Sequence, residues 1–215
     1  MIHEIGRHHS IFNQYVREIR DEQMQTDRMR FRRNIERIGE ITAYEISKTF
    51  RYEPELVTTP LGEAEVHVPA ENPVICSIMR AGLPFHQGLL NMWDAADNAF
   101  VAAYRRHHKG GDFEIEVDYM SAPSLEGRTL ILADVMVATG ASIVNVYKEL
   151  LRRGAPQKIH VACVIATQVG IDHVRAHLPE GTVVWAGAID HELTAQAYIV
   201  PGLGDAGDLA YGRKD

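Results

Sequence analysis

Hydrophobic positions follow a helical period early in the chain and form short continuous runs later. Apolar residues recur at near-helical spacing among Arg and Glu between Asp27 and about Phe50, namely Ile35, Ile38, Ile41, Ala43, Tyr44 and Ile46. This spacing predicts an amphipathic helix that covers a core or faces another subunit. In the next segment, TPLGEAEVHV, apolar and polar residues alternate after a turn signal at Pro60 and Gly62, which predicts a hairpin strand.

The rest of the chain is built from continuous apolar runs, PVICSIM, AFVAAY, TLILAD, IHVACVIA and TVVWAGA. Such runs are typical of strands buried on both faces of a parallel sheet. Helical segments lie between most of them, FHQGLLNMWDAA, GASIVNVYKELLRRG and VGIDHVRAHL. The alternation predicts one α/β domain over residues 1–215, with a doubly wound, mostly parallel sheet, an N-terminal helical arm over about 1–50, and ligands at the carboxyl ends of the strands.

One long region, from Arg106 to Gly127, has no clear periodicity. A loop of that length in a compact domain is usually functional or mobile. We therefore predict a mobile loop or hairpin that closes as a lid over about residues 106–127, with Gly110 and Gly111 as hinge positions. An ordinary exposed insertion is the alternative.

Composition narrows the range of partners. The chain carries 29 acidic against 22 basic residues, a formal charge of −7, which argues against general affinity for nucleic acid or anionic membrane. No apolar segment approaches the roughly 20 residues of a membrane span, so a cytoplasmic protein is expected. Cys76 and Cys163 lie in apolar segments and are predicted to be buried thiols. The pairs His8–His9 and His107–His108 have no partner at metal-ligand spacing, which favours exposed histidines.

The stretch LILADVMVATGASIVNVYKELL carries the clearest chemistry. A strand ends at Asp134, a short loop follows, and a helix begins with Ile143, Val144 and Tyr147 on its buried side. Free amides at residues 139–142 and the helix dipole would bind a phosphate, and Asp134 would accept hydrogen bonds from sugar hydroxyls. A helix capped by its own Thr or Ser fits the same pattern, and the pattern does not decide between the two. The absence of G-x-x-x-x-G-K-[ST] excludes a nucleoside-triphosphate P-loop.

A second glycine-rich stretch, PGLGDAGD from Pro201 to Asp208, has the G-x-G-x-x-G spacing of dinucleotide-binding loops. That motif requires a following crossover helix and an acidic residue about 20 positions further on. The 215 residues contain neither after Asp208. Dinucleotide binding is therefore disfavoured, and the glycines serve either another ligand or a surface turn.

These residues resemble a known family. The acid followed by ATGAS and a helix looks like the phosphoribosyl-diphosphate-binding loop of type I phosphoribosyltransferases. YIVPGLGDAGDLAYG is similar to the uracil-binding end of uracil phosphoribosyltransferases, a narrower match. The resemblance continues through IMRAGLPF, AYR, GIDHVRAHLP, FRRNIERIGEITAYE and TPLGEAEV, and it covers nearly the whole chain from about residue 20.

The resemblance implies a function for individual residues. It implies that phosphoribosyl diphosphate is bound by Arg80, Arg105, Asp134, Ala138, Thr139, Gly140, Ala141, Ser142 and Asp205. It implies that uracil is bound by a C-terminal loop over about 198–208, through Ile199, Gly204, Asp205 and Ala206. Arg105, Asp134 and Asp205 would be the catalytic residues, and Asp205 would contact the Mg²⁺ cofactor indirectly.

The implied reaction transfers a phosphoribosyl group to N1 of uracil, giving UMP and diphosphate in a homodimer or higher homo-oligomer that binds no nucleic acid. Val135 stands where the family commonly has Pro, and Ala141 where it commonly has Gly. The basic run Arg106, His107, His108 and Lys109 replaces acidic residues of the family, which bears on lid closure. A non-catalytic regulator that binds nucleotides or RNA on the same fold is the alternative function, with Arg105 and this basic run as its contact.

Overall fold

A central, mostly parallel sheet organises the chain. The computed structural model describes residues 1–107 and 113–213, and the side chains of 104–117 lie outside that description. Within the described residues the sheet has seven strands in the order β1-β9-β8-β7-β4-β5-β6, and only β6 is antiparallel to its neighbour. The strands are β1 Ile2–Glu4, β4 Val74–Met79, β5 Asp97–His107, β6 Phe113–Ser121, β7 Thr129–Val137, β8 Lys158–Thr167 and β9 Val183–Asp190.

Helices cover both faces of this sheet, which explains the continuous apolar runs. Alternate residues of each central strand point to opposite faces. Ile131 and Ala133 of β7 belong to one core with α1 Ile11–Arg20, α2 Arg28–Ser47, α3 Gly82–Met92 and α6 Ala206–Tyr211. Leu130 and Leu132 belong to the other core, with α4 Ala141–Leu150 and α5 Gln168–His177. The predicted doubly wound α/β arrangement is confirmed.

The helix predicted from Asp27 is α2, and Asp27 caps it by accepting the N–H of Arg30 at 3.0 Å. Its apolar side is buried by this chain, against α1 and α3, so α2 is a core-covering helix. The predicted hairpin is β2 Tyr52–Thr59 and β3 Gly62–Pro69, with strands exposed along most of their length. A short ribbon of β10 Glu192–Leu193 and β11 Ile199–Val200 precedes α6.

One open alternative is resolved, and two expectations need correction. Residues 113–121 are strand β6, paired with β5 from Phe100↔Ser121 to His107↔Phe113, so of the predicted loop or hairpin the hairpin is present, and the expected lack of periodicity in this region is wrong. The signal was the strict alternation in FEIEVDYMS, a period of two residues. The first residues are also not helical, because Ile2–Glu4 form the edge strand beside β9.

The two predicted buried thiols are confirmed, since Cys76 and Cys163 lie inside the sheet. His8 and His9 are exposed, as expected. Among the described residues, the helices are all too short or too polar to cross a lipid bilayer.

Candidate active site

The turn between β7 and α4, here called the phosphate loop (residues 138–142), has the predicted strand–turn–helix form. Gly140 occupies the N-cap position of α4 with φ 77°, a left-handed conformation that favours glycine. It has no side chain to offer to the first amides of the helix. The hydroxyl of Thr139 accepts the N–H of Ala141 at 3.4 Å, which is a long contact. The N-cap residue therefore does not satisfy the helix terminus, and the arrangement favours an anion there.

The phosphate loop rests on the start of α5 through two glycines. A methyl group added at Gly140 would meet the carbonyl oxygen of Gly170 at 2.5 Å. One added at Gly170 would meet the carbonyl oxygens of Ala138 and Val137, the latter at 2.7 Å. The two stretches of main chain are therefore in direct contact, with no space for a side chain between them.

Thr167 adds a hydrogen bond to this contact. Its hydroxyl donates to the carbonyl of Ala138 at 2.6 Å and accepts the N–H of Gly170 at 2.9 Å. One buried side chain therefore caps α5 and holds the phosphate loop. Sequence reasoning missed Thr167 and Gly170. Thr167 stands three residues before Gly170 at the start of a predicted helix, which is an N-cap signature.

The strand predicted to end at Asp134 continues to Val137, so Asp134 lies inside β7, four positions before the phosphate loop, and is half-buried. Its Oδ1 accepts the N–H of Val135 at 2.8 Å. Val135 is buried in the core, and Ala141 begins α4, so the two departures from the family pattern keep the strand and the helix intact.

Arg80 follows the end of β4, the strand beside β7. It reaches the C-terminal segment, where Nη2 pairs with Asp208 at 2.8 Å and Nη1 donates to the carbonyl of Gly212 at 3.2 Å. Its Nε is buried and has no hydrogen-bond partner among the described residues. Asp208 was not predicted as part of the site. It follows Asp205 by three residues in the stretch already singled out, so its position was the available signal.

The C-terminal loop (residues 198–208) presents the residues expected to contact the base. Ile199 and Ala206 are buried, whereas Gly204 and Asp205 are exposed. The Asp205 carboxylate caps α6 by accepting the N–H of Asp208 at 2.9 Å. A pocket of about 410 Å³ opens beside Asp205 and Asp208, with Arg28 and Arg213 also in its wall. The loop therefore presents exposed main chain at Gly204 next to the carboxylates of Asp205 and Asp208.

Long side chains from α1, α2 and the turn between them bind carbonyls of residues 202–210. Arg20 donates to the carbonyl of Gly202 at 3.0 Å, and Arg32 donates to that of Ala210 at 2.6 Å. With its side-chain amide nitrogen turned toward the carbonyls of Ile19 and Leu203, Gln25 donates to the carbonyl of Leu203 at 2.8 Å. None of these three residues was predicted, because each lies well over 150 positions from its partner in sequence.

The phosphate loop and the C-terminal segment are attached to neighbouring strands. Strand β4 pairs with β7 at Ser77↔Ala133, and Arg80 links the end of β4 to the C-terminal segment. Ala138 packs on the same core cluster as Ile199, Leu203 and Ala206. Arg80 and the phosphate loop therefore lie at the carboxyl ends of two adjacent strands, with the C-terminal segment tied there through Arg80.

Arg105 lies on β5, opposite Ile115 of β6, and its side chain lies outside the described residues. The side chains of Arg106 and His107, and all of His108, Lys109, Gly110 and Gly111, lie outside them too. The roles of Arg105, of the basic run and of the hinge glycines stay predictions. Within the described ranges no three His, Cys, Asp or Glu residues are grouped to hold a metal ion.

The cysteines near the strands are not nucleophiles. Burial raises the pKa of the Cys76 thiol to about 12. Burial, together with the nearby Asp134 carboxylate, also raises the pKa of Cys163. Both thiols stay protonated at neutral pH, and a protonated thiol is a weak nucleophile. The two cysteines therefore supply no nucleophile to the site.

Comparison with known proteins gives a consistent result. The model of the family described as "Uracil phosphoribosyltransferase" matches residues 7–213. A curated uracil phosphoribosyltransferase of Porphyromonas gingivalis is 50% identical over 98% of this chain and 97% of that protein. One from Pyrococcus furiosus is 38% identical over 91% of this chain and 83% of that protein.

Solved structures agree in fold. A structure of a protein from Aquifex aeolicus superposes with a TM-score of 0.86 at 27% identity, over 99% of this chain and 98% of that one. A hypoxanthine phosphoribosyltransferase from Staphylococcus aureus superposes with a TM-score of 0.50 at 13% identity, over 74% of each chain, and so shows a shared fold alone.

Proposed function

Because the chain belongs to the uracil phosphoribosyltransferase family, we propose that it transfers the phosphoribosyl group of 5-phosphoribosyl 1-diphosphate to N1 of uracil, giving UMP and diphosphate in pyrimidine salvage. The observation that carries the proposal is the convergence of the phosphate loop and the C-terminal loop at neighbouring strand ends, with Arg80 between them. A phosphate and a base bound at these two loops would face each other across one sugar.

The phosphate loop binds the 5-phosphate through the main-chain amides and hydroxyls of residues 138–142. Asp134 accepts hydrogen bonds from the ribose hydroxyls. Arg80 and Arg105 neutralise the diphosphate as charge builds on it in the transition state, since guanidinium groups match phosphate oxygens in geometry and charge. The ion pair of Arg80 with Asp208 keeps its guanidinium close to the C-terminal loop before the substrate binds.

The C-terminal loop reads uracil by its main chain. Uracil presents two carbonyl oxygens and one N3–H, which backbone amides and carbonyls at Ile199, Gly204, Asp205 and Ala206 can pair with edge-on. Cytosine presents an amino group where uracil has an oxygen and would leave buried groups unpaired, which a polar site rejects strongly. No side-chain nucleophile takes part.

Mg²⁺ is the proposed cofactor. The residues fit an ion held mainly by the substrate, because Mg²⁺ usually keeps waters and binds one or two carboxylates plus substrate phosphates. Asp205 and Asp208 border one pocket and supply such carboxylates. When bound, Mg²⁺ supplies positive charge to the leaving diphosphate.

The direct test mixes the protein with uracil, phosphoribosyl diphosphate and Mg²⁺ and measures UMP by chromatography. UMP should form, whereas cytosine should give no nucleotide. Product from a purine but none from uracil would keep the fold and refute the base assignment.

Asp205 provides the sharper variant. Asp205→Asn keeps an oxygen that can cap α6, because Asn is as good an N-cap as Asp, but it removes the charge near the ribose and metal. We expect kcat to fall by roughly a hundredfold or more, with unchanged thermal unfolding. Asp205→Ala loses the cap as well and should add a stability loss. Wild-type turnover in Asp205→Asn would contradict the placement of the site.

We propose a homo-oligomer, because the β2–β3 ribbon exposes Leu56, Leu61 and Val66, and an isolated two-stranded ribbon is at best marginally stable. Light scattering during size-exclusion chromatography tests it, and a monomer mass would refute it. The cytoplasmic location stays a prediction. The alternative regulator has no support in the comparisons, and a salt-sensitive RNA affinity in a filter-binding titration would be needed to revive it.

A further inference from the structure

One ion pair, between Arg20 and Asp190, hydrogen-bonds both the N–H and the carbonyl of Gly202 in the C-terminal loop. Asp190, the last residue of β9, accepts the N–H of Gly202 at 2.9 Å. Arg20, the last residue of α1, donates to the carbonyl of Gly202 at 3.0 Å. The two side chains also bind each other through two hydrogen bonds of 2.8 Å each. The carboxylate is 8% exposed and the guanidinium 22% exposed.

Gly202 governs the shape of the loop. Its φ of 55° is left-handed, and the carbonyl of Ile199 lies directly against its Cα, where a methyl group would not fit. The chain between Ile199 and Gly204 therefore folds back on itself at Gly202. The flanking Ile199 and Leu203 are buried in the core. A small rotation at Gly202 would thus move the main-chain groups on either side of it.

The ion pair is well suited to fix that rotation. A bidentate Arg–carboxylate pair has a defined geometry, and here each partner uses a further hydrogen bond on the same peptide segment. Strand β9 belongs to the central sheet and helix α1 packs in the core, so the pair ties the loop to both. The pair is separate from the pocket beside Asp205, because none of the pocket-wall residues is Arg20 or Asp190.

We propose that Arg20 and Asp190 are positioning residues for base recognition. They set the main chain from Ile199 to Gly204 through Gly202 and touch no substrate atom themselves. The inference rests on the proposed function, in which this main chain reads uracil. When the base is recognised only by main-chain hydrogen bonds, discrimination between bases depends on the fixed positions of those main-chain groups. Loosening the pair should weaken uracil binding and reduce discrimination against cytosine, while the phosphate loop stays intact.

The test uses Asp190→Asn, Arg20→Gln and the conservative Arg20→Lys. We expect KM for uracil to rise by roughly tenfold to a hundredfold in the first two, the scale of loss that a misplacement of about 1 Å produces. KM for phosphoribosyl diphosphate should stay within about twofold, since no residue of the phosphate loop contacts the pair in the described hydrogen bonds. The rate with cytosine relative to uracil should increase, and Arg20→Lys should recover part of the loss.

A matched control exists on the same helix α1. Glu18 and Arg30 form a second bidentate pair at 2.9 Å, and Glu18 is also buried, but its hydrogen bonds go to Gln14, Arg30 and Asn34 within α1 and α2. Glu18→Gln should destabilise the fold without changing KM for uracil. A rise in both Michaelis constants in the Asp190 and Arg20 variants, or the same rise in Glu18→Gln, would overturn the proposal and leave a purely structural pair.

Amide hydrogen exchange provides a readout that does not depend on turnover. Peptides covering residues 199–204 should exchange faster in Asp190→Asn than in wild type, and unchanged in Glu18→Gln. Unaltered exchange in Asp190→Asn would refute the positioning role even if kinetics changed. If wild-type protein makes no UMP from uracil, the proposed function fails by itself, and with it the role in base recognition, whatever the exchange result.

Discussion

The two halves of the site are held in place by different means. The phosphate loop is positioned by main chain against main chain, where Gly140 meets Gly170 and one hydroxyl, that of Thr167, completes the contact. The C-terminal loop and α6 after it are positioned by charged side chains, Arg20 and Arg32, which reach the carbonyls of Gly202 and Ala210 from helices far away in sequence. A close backbone contact is intolerant of added volume, whereas a side-chain contact can be weakened by a substitution that adds no volume. The difference predicts that the two halves fail in different ways.

The largest effect should come from the glycine contact. Gly170→Ala places a methyl group against the Ala138 and Val137 carbonyls, and Gly140→Ala adds the strain of a left-handed alanine, about 1 kcal/mol or more. Each should reduce kcat/KM for phosphoribosyl diphosphate by roughly a hundredfold or more, because the loop must move. Steady-state kinetics with that substrate varied measures it.

Gly181→Ala is the matched control. Gly181 has φ 93° but nothing within 4 Å of an added methyl group, so alanine there adds backbone strain alone. Stability should fall slightly while affinity for the substrate is retained. Normal affinity in Gly170→Ala would show that the α5 contact does not define the phosphate loop.

A smaller effect is expected from Thr167→Val, which keeps the shape of the side chain and removes both hydrogen bonds. The Ala138 carbonyl and the Gly170 amide lose a partner, so the free energy of unfolding should fall by about 1–3 kcal/mol. KM for phosphoribosyl diphosphate should rise severalfold and KM for uracil should not change, which is the reverse of the Asp190→Asn pattern.

Thr42→Val controls for the loss of a buried hydroxyl. Thr42 is fully buried and donates to the Ile38 carbonyl inside α2, away from the phosphate loop. Both Michaelis constants should stay at wild-type values. If Thr42→Val and Thr167→Val alter kinetics equally, the effect of Thr167 is one of general stability.

The smallest expected effect is a loss of folding stability at acidic pH. Hydrogen bonds from Arg30, Gln14 and Asn34 lower the pKa of Glu18 from 4.5 to about 2. A carboxylate with a depressed pKa stabilises the fold above pH 4.5, and that contribution is lost as pH falls toward about 2. The helices under the C-terminal loop should therefore loosen in this window. Urea unfolding of wild type and Glu18→Gln from pH 6 to pH 3 should show a shallower decline in the variant, and parallel curves would contradict this.

The two loops of the site were also predicted unequally from sequence, because the phosphate loop depends on local contacts and the C-terminal loop on distant ones. Asp134, Gly140 and the buried side of α4 lie within one local stretch, where a strand, a turn and a helix have recognisable signals. Asp190 ends strand β9, and it follows a continuous apolar run as Asp134 does, so the same sequence signal could have pointed to Asp190. Arg20 had no such signal. An arginine at the end of a helix is common, and Gly202, whose carbonyl it binds, is 182 residues away.

Strand β6 had a local signal that decides between the predicted loop and the predicted hairpin. Its alternation of Phe113, Ile115 and Val117 with acids is a plain strand pattern. Its antiparallel partner β5 immediately precedes it in the chain, so the hairpin was predictable from sequence alone.

The link from Arg20 to Gly202 also bears on the order in which the molecule is made. A growing chain can complete β7, α4, β8 and the start of α5 once residue 170 has emerged, and the phosphate loop then has every contact it needs. The loop around Gly202 needs the first helix and almost the last residues together, and non-local contacts of this kind form late. The nascent protein would thus form the proposed phosphate site before it could form the loop proposed to bind uracil.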